Sequence, residues 1–311
     1  PVLDPLFVNQ TGTDEPEVVI TLSGTYSDTG TPDDHSILID WGDGTQDTVT
    51  VVAADPKVFG PIKHVYVDDP AGFGTNVYTI TATLTDDDTG SSVQTATVTV
   101  NNIAPTAAID GEPTTSVPEG STVNLSSTVA DLGTADTFAY AWTVLKDGSA
   151  YATGTQSTYA LIPNDNGTYV VTLVVTDDDG ATATDAVTIY VYNEKPAVVI
   201  TGTPVASPEG TALTLGSTVT DAGAADTFVY SWIVNKNGVA FAVGAGSNIA
   251  FTPNDNGNYV VTLMVTDDDG LSATATSIVS TTNVNPVVNI VGAPASSNEG
   301  TAVALTSSVT D

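Results

Sequence analysis

The string NDNGTYVVTLVVTDDDG at Asn164–Gly180 returns as NDNGNYVVTLMVTDDDG at Asn254–Gly270, 90 residues later and with two differences. Other landmarks keep that interval: Trp142 and Trp232; Glu119, Glu209 and Glu299; Asp131, Asp221 and Asp311; and, within one residue, Pro105, Pro196 and Pro286. Such a chain folds as a series of similar units, so the two 150-residue domains that 311 residues would otherwise suggest give way to the period. The first unit is a diverged copy. Trp41 lies in IDWGDGT, Tyr78 opens YTITATLTDDDTG, and Trp41 stands 45 residues before its DDD run where Trp142 stands 35 before its own. The extra length falls between Lys57 and Asn76. The boundaries expected are 1–102, 103–194 and 195–284, with 285–311 holding the first two strands of a fourth unit. Two strands cannot bury a core alone. The expectation is therefore a cut through a longer array, or completion by another chain; Pro1 opens without a signal peptide, as in a mature segment or excised piece.

Within the second unit, runs rich in Val, Thr, Ile and Tyr alternate with period two between Gly, Pro, Asn and Asp clusters, and no helical period occurs. Strands are predicted near 106–110, 121–129, 138–146, 157–162, 168–176 and 181–192, with a short one near 150. Seven short strands in 90 residues make a two-sheet sandwich. Alternation puts Val123, Leu125 and Val129, then Phe138, Tyr140, Trp142 and Val144, then Tyr169, Val171, Leu173 and Val175 on core-facing positions. Asp165-Asn166-Gly167-Thr168-Tyr169 is a D-x-G-x-Y string, the pattern of a tyrosine corner.

Charge narrows function. With five Lys or Arg against 37 Asp or Glu, the formal net charge is -32, which repels nucleic acid and anionic lipid. No Cys is present, so disulfides and Cys-based zinc sites are excluded. No apolar run approaches the roughly 20 residues of a membrane span. With 41% apolar residues the chain still has material for a core, so the acidity does not imply disorder.

The Trp of the third strand and the tyrosine corner resemble an immunoglobulin-like sandwich whose two cysteines have become Val or Leu. IDWGDGT at 39–45, HVY at 64–66 and YTITATLTDDD at 78–88 resemble the WGDG, HxY and YxVxLTVTD landmarks of the polycystic-kidney-disease-type (PKD) domain. The second and third copies replace GDG with AWTVLKDG and SWIVNKNG but keep the Trp, the Tyr strand and the VTDDDG ending. The resemblance implies an all-β tandem array of seven-stranded immunoglobulin-like (PKD-type) β-sandwiches from a large bacterial surface or secreted protein. Such modules serve mostly as spacers, adhesive rods and accessories of secreted hydrolases.

In a sandwich of this kind, stacked end to end, the Asp-rich loops of one unit meet the loops of the preceding one around the linker. At the second junction this gathers Asp221, Asp226, Asp267, Asp268 and Asp269 with Glu119 and Asp165 of the preceding unit and Glu194 of the linker. At the first junction it gathers Asp131, Asp136, Asp177, Asp178 and Asp179 with the linker's Asn101 and Asn102. There Glu15 and Glu17 flank the position where later copies place their Glu. Clustered carboxylates repel unless a cation separates them, and Ca2+ accepts six to eight oxygens from such a set. The arrangement is similar to the cadherin junction, where loops of two domains and a linker enclose calcium. The competing account is that DDDG is a polar hairpin turn whose charge keeps the array soluble. No Asp string fits an EF-hand loop.

His35 and His64 are the only histidines and do not recur with the period, so neither has the repeated partners of a catalytic site; His64 in HVY reads as a structural strand residue. The acids recur identically instead of forming one unequal pair in a cleft, which argues against glycosidase chemistry. Tyr151, Tyr159, Tyr190 and Tyr192 are candidates for a sugar-stacking platform or ordinary surface aromatics. The expected function is a structural or adhesive extracellular array at the cell surface, a calcium-stiffened stalk, extender or fibre with no catalysis. At about 3.3 Å per strand residue each unit is roughly 30 Å long. The alternative is a carbohydrate-binding accessory region of a large secreted hydrolase, and a passive acidic spacer is a third reading. Partners expected are neighbouring repeats of the same longer chain, a homopolymer or lateral bundle, and a cell-surface or polysaccharide ligand, with no nucleic acid and no membrane insertion.

Overall fold

In the computed structural model the described residues are 1–15, 18–29, 33–51, 57–70, 76–133 and 136–310. Glu17 and Asp311 lie outside the described residues. The described elements are all strands, and no helix among them is long and apolar enough to cross a membrane.

In the second copy one sheet runs, in spatial order, Val117–Pro118, Thr182–Tyr192, Gly167–Asp177, Phe138–Lys146 and Ser149–Gly154, and the other runs Thr158–Leu161, Val123–Ala130 and Thr106–Asp110. The predicted strands stand where the alternation puts them. The addition is the two-residue strand Val117–Pro118, parallel to Val191 and Tyr192. The third copy repeats this order with Ser207–Pro208, Ser272–Thr282, Gly257–Asp267, Phe228–Lys236 and Val239–Gly244 opposite Ala197–Thr201, Leu213–Thr220 and Asn248–Phe251. The hairpin after each Trp strand turns on Asp147-Gly148 or Asn237-Gly238, with φ of 49° and 81° or 54° and 78°. Asx-Gly is the pair that takes two successive positive φ values at least cost, and the resulting turn matches the strand twist.

Alternation becomes burial. Trp142 pairs with Leu173 and Val144 with Val171 across the sheet, and all four are buried. The indole N–H, which would be costly to bury unpaired, donates to the Gln156 carbonyl at 2.7 Å, and that of Trp232 to Gly246 at 2.9 Å. In the third copy the tyrosine corner is explicit: the Tyr259 hydroxyl has acceptors at Asp255 O (3.0 Å) and Asn254 Oδ1 (3.1 Å) and itself accepts from the Asn254 N–H (3.2 Å).

The first copy sets Val18–Ser27 among Val2–Leu3, Phe7–Thr11 and Val58–Tyr66, opposite a sheet of Gln46–Val51, His35–Asp40, Val77–Asp86 and Ser91–Thr99. A single parallel bridge, Asp14 to Asn101, stands where the later copies have the two-residue strand. His64 stacks on Trp41 (centroids 4.6 Å apart, planes 4° apart), and its Nε2 lies 2.6 Å from Asp43 Oδ2. Asp43 stays below the usual carboxylate range despite burial, because the Thr45 N–H and hydroxyl and His64 all hydrogen-bond to it. Gly42 has φ of 84°, and a Cβ there would fall 2.7 Å from the Thr79 carbonyl. The W-G-D-G and H-x-Y landmarks are thus one packed constellation, and His64 is part of it. His35 is held the same way, its Nε2 2.9 Å from Asp28 Oδ2.

Two compact units divide the chain. One comprises Pro1–Thr115, Thr122–Leu161 and Gly167–Tyr190; the other comprises Ser116–Ser121, Ile162–Asn166 and Val191–Asp311. The short loops carrying Glu119 and Asp165 therefore belong with the segment that follows them. The Ala225 N–H, for example, donates to the Asn164 carbonyl at 2.9 Å.

Candidate metal centres

Each centre is built on a buried Glu. The Glu119 N–H donates to the Tyr192 carbonyl at 3.1 Å, which turns the side chain inward toward the linker. Its Oε1 then accepts from the Glu194 N–H at 2.7 Å. Glu209 repeats both bonds, with Thr282 (3.0 Å) and Val284 (2.7 Å). Glu15 does so too, with Asn101 (3.2 Å) and Ile103 (2.8 Å), and its Oε2 adds the Asp69 N–H at 3.1 Å. Glu15 therefore occupies the position that Glu119 holds one copy later.

Around Glu119, carboxylate oxygens of Asp221 and Asp226 converge so that one from each of the three lies within 4.8 Å of the others. Asp221 Oδ1 accepts from the Ala222 N–H at 2.6 Å, leaving Oδ2 inward. Among the described residues, Glu119 Oε2, Asp221 Oδ2, both oxygens of Asp226 and Asn193 Oδ1 are buried without a hydrogen-bond donor. Burial, then the charges of Glu119, Asp221, Asp165 and Asp268, push Asp226 up to about 7. Glu119 is raised by burial and by Asp221, Asp165 and Asp269, against the lowering effect of its bond from Glu194.

Asp267, Asp268 and Glu194 make hydrogen bonds around this group. Asp267 Oδ1 closes the hairpin turn on the Leu271 N–H (2.7 Å), and its Oδ2 accepts from Asn193 Nδ2 (3.1 Å). Asp268 Oδ1 accepts from the Thr227 N–H at 2.8 Å. Glu194 contributes its backbone N–H to Glu119.

The first centre repeats this plan with more acids. Glu15, Asp68 and Asp136 form one group with oxygens within 4.8 Å, Asp131, Asp136 and Asp177 a second, and Asp68, Asp69 and Asp179 a third. Asp177 Oδ1 takes the Ala181 N–H (2.7 Å) and Oδ2 takes Asn102 Nδ2 (3.1 Å), while Asp178 Oδ1 takes the Thr137 N–H (2.7 Å). Asn101 is engaged with Asn76 (3.2 Å) and Asp14 (3.0 Å). Among the described residues, both oxygens of Asp136, Asp131 Oδ2, Asp68 Oδ1, Asp69 Oδ1 and Asn102 Oδ1 are buried without a donor. Burial, then Glu15, Asp131 and Asp68, push Asp136 up to about 8; burial, then Asp179, Glu15 and Asp68, push Asp69 up to about 7.

These residues fit a hard cation. Unpaired buried carboxylate oxygens are costly, and the donor sets are all oxygen, which suits Ca2+ and offers nothing to softer metals. Glycine lets the carboxylates close up on the backbone: a Cβ on Gly223 would fall 2.6 Å from both Asp226 Oδ1 and Glu119 Oε2, and one on Gly133 would fall 2.6 Å from Asp136 Oδ2 and 2.8 Å from Glu15 Oε1. Glu15, Asp68 and Asp69 are not among the positions the 90-residue spacing picks out. For Glu15 the available signal was the E-P-E string itself, ambiguous between two glutamates.

A further acidic group, Asp33 with Asp87 and Asp88, is more open and has no buried oxygen lacking a donor among the described residues. Of the tyrosines considered for a sugar platform, Tyr159 stacks on Trp142 (5.7 Å, 20°) and Tyr151 packs edge-on against Tyr169 (5.1 Å, 87°). Both are taken up by packing, whereas Tyr190 and Tyr192 are exposed.

Residues 102–191 match the family model of the PKD domain, and residues 193–280 match that of a bacterial Ig domain. No curated protein matches the chain. Among solved structures it is similar to the tetra-tandem repeat in the extending region of a large adhesion protein, at 15% identity over 93% of this chain and 76% of that one, with a TM-score of 0.41. It is also similar to fibronectin(III)-like modules of Clostridium thermocellum CbhA, at 17% identity over 57% and 94%, with a TM-score of 0.25. Three N-terminal domains of the bacteriophage RB49 Highly Immunogenic Outer Capsid protein match at 14% identity over 91% and 99%, with a TM-score of 0.26. With two consecutive segments matched and sandwiches to house them, the chain is a tandem array of PKD-like, immunoglobulin-like β-sandwich repeats.

Proposed function

We propose that this array is a structural, non-catalytic part of an extracellular or cell-surface protein, and that calcium bound at the two acidic centres stiffens it as a stalk, extender or fibre. The observation that carries this reading is the set of buried carboxylate oxygens without donors around Glu15 and Glu119. Each set combines a Glu after one copy's first strand with Asp residues of the next copy, and the first set adds Asp68 and Asp69 of the first copy. Without a cation these groups repel or hold protons; with one they become shared ligands, and the linker residue bonded to the Glu is fixed as well. Extracellular calcium modules have Kd near 10⁻⁴ to 10⁻³ M, so millimolar calcium largely fills them. Filling to ten times Kd adds about 1.4 kcal/mol per site.

The test is thermal unfolding of the chain in excess chelator and in millimolar calcium, with magnesium as control. A calcium-specific rise of several degrees is expected; equal midpoints in all three conditions would reduce the aspartates to solvated turns and leave a passive spacer. The exposed Tyr190 and Tyr192 favour the second reading, a carbohydrate-binding accessory region. Mobility shift in polysaccharide-containing gels tests it: retardation relieved by Tyr190→Ala would support it.

A further inference from the structure

One difference between the two centres lies in the loop before the tyrosine strand. In the third copy the tyrosine-corner hydroxyl, on Tyr259, bonds to the Asp255 carbonyl, and in the first copy Tyr78 reaches the Asp68 carbonyl at 3.4 Å. Asp68 is thus the counterpart of Asp255 and, by the 90-residue period, of Asp165. The next residue is Asp69 in the first copy but Asn166 in the second and Asn256 in the third. Asp69 is 3% exposed, its Oδ1 accepts no hydrogen bond among the described residues, and it lies with oxygens of Asp68 and Asp179 inside 4.8 Å. Its N–H is held by Glu15 Oε2, which fixes the loop and aims the carboxylate at the other two.

We propose that Asp68, Asp69 and Asp179 hold a second divalent cation, calcium by its all-oxygen ligands, beside the one held by Glu15, Asp68 and Asp136. This rests on the calcium reading above and extends it: the first centre is dinuclear, with Asp68 reaching both ions, and the second centre lacks this added site. Seven carboxylates meet at the first centre: Glu15, Asp68, Asp69, Asp131, Asp136, Asp177 and Asp179. One Ca2+ leaves most of that charge uncompensated in a partly buried space, whereas two Ca2+ neutralise more than half of it. Two ions bridged by a shared carboxylate would sit roughly 3.5–4 Å apart.

Calcium bound per chain is counted by equilibrium dialysis on the whole protein, wild type against Asp69→Asn and Asp226→Asn. The expected result is that Asp69→Asn binds one ion fewer than wild type, while Asp226→Asn loses the ion of the second centre only. An unchanged count in Asp69→Asn overturns this proposal and leaves the calcium reading intact. No binding by wild type overturns both. Asp69→Asn removes a buried, repelled charge, so it should unfold no earlier than wild type in chelator, which separates a lost ligand from a damaged fold. Anomalous difference density from calcium-soaked wild-type crystals gives a reading that needs no variant: two peaks at the first centre are expected, and one peak overturns the proposal.

Discussion

The centre around Glu15 and the centre around Glu119 share a plan and differ in how tightly it is tied. Glu119 holds one backbone N–H, that of Glu194. Glu15 holds two, those of Ile103 and Asp69, and so binds the linker and a loop of the first copy through one side chain. The first centre also brings more acids within reach of one another, and burial and neighbouring charge raise both Asp136 and Asp69 there, as they raise Asp226 at the second. A conserved local geometry therefore tolerates a change of loop composition, and the change alters how much charge must be neutralised and how much is lost when the anchor is removed.

The largest effect expected is from the anchors. Glu15→Ala leaves two N–H groups without acceptors, at about 1–3 kcal/mol each, and Glu119→Ala leaves one. Urea unfolding should rank Glu15→Ala as the more destabilised; equal losses would break the comparison. Next come the glycines: Gly133→Ala and Gly223→Ala place a methyl among the carboxylates, so each should abolish the calcium-dependent gain of the site it crowds, about 1.4 kcal/mol per ion at ten times Kd, as read by unfolding midpoints with and without calcium.

A smaller effect is the pH dependence in chelator. Asp136, Asp69 and Asp226 have folded-state values above the ordinary Asp value of 3.8, so the folded chain binds more protons than the unfolded one. Their favourable contribution is full below about pH 4 and is lost as pH rises through about 7 and 8. Midpoints in chelator should fall from pH 5 to pH 8, and the fall should be smaller in Asp136→Asn and in Asp226→Asn than in wild type, because each removes one raised carboxyl. The smallest effect is Glu194→Gln, which keeps the backbone N–H that Glu119 uses; a change within about 0.5 kcal/mol in urea unfolding is expected.

Strands of the second copy were legible because one face of each is buried, and a period of two leaves that pattern in the residues, as in Tyr169, Val171, Leu173 and Val175. The clustering of Asp221 and Asp226 with Glu119 was legible for a different reason: repetition marked the loops, and sandwich topology says which loops share a pole. Which aspartate of a DDD run does what was not legible. Asp267 closes its own hairpin turn and Asp268 caps the Thr227 N–H, distinctions made by backbone direction, which three identical letters cannot encode.

By itself the sequence determined the all-β class, the 90-residue period, the Trp and Tyr positions of the core and the excess of acid at the turns, since these follow from alternation, repetition and composition. Tertiary structure alone decided that Glu15 stands in register with Glu119, that Asp68 and Asp69 enter the first centre, and which oxygens are left without donors. Those depend on which backbone N–H groups come within reach when sheets and loops pack, and residues as far apart as Glu15 and Ile103 meet only then.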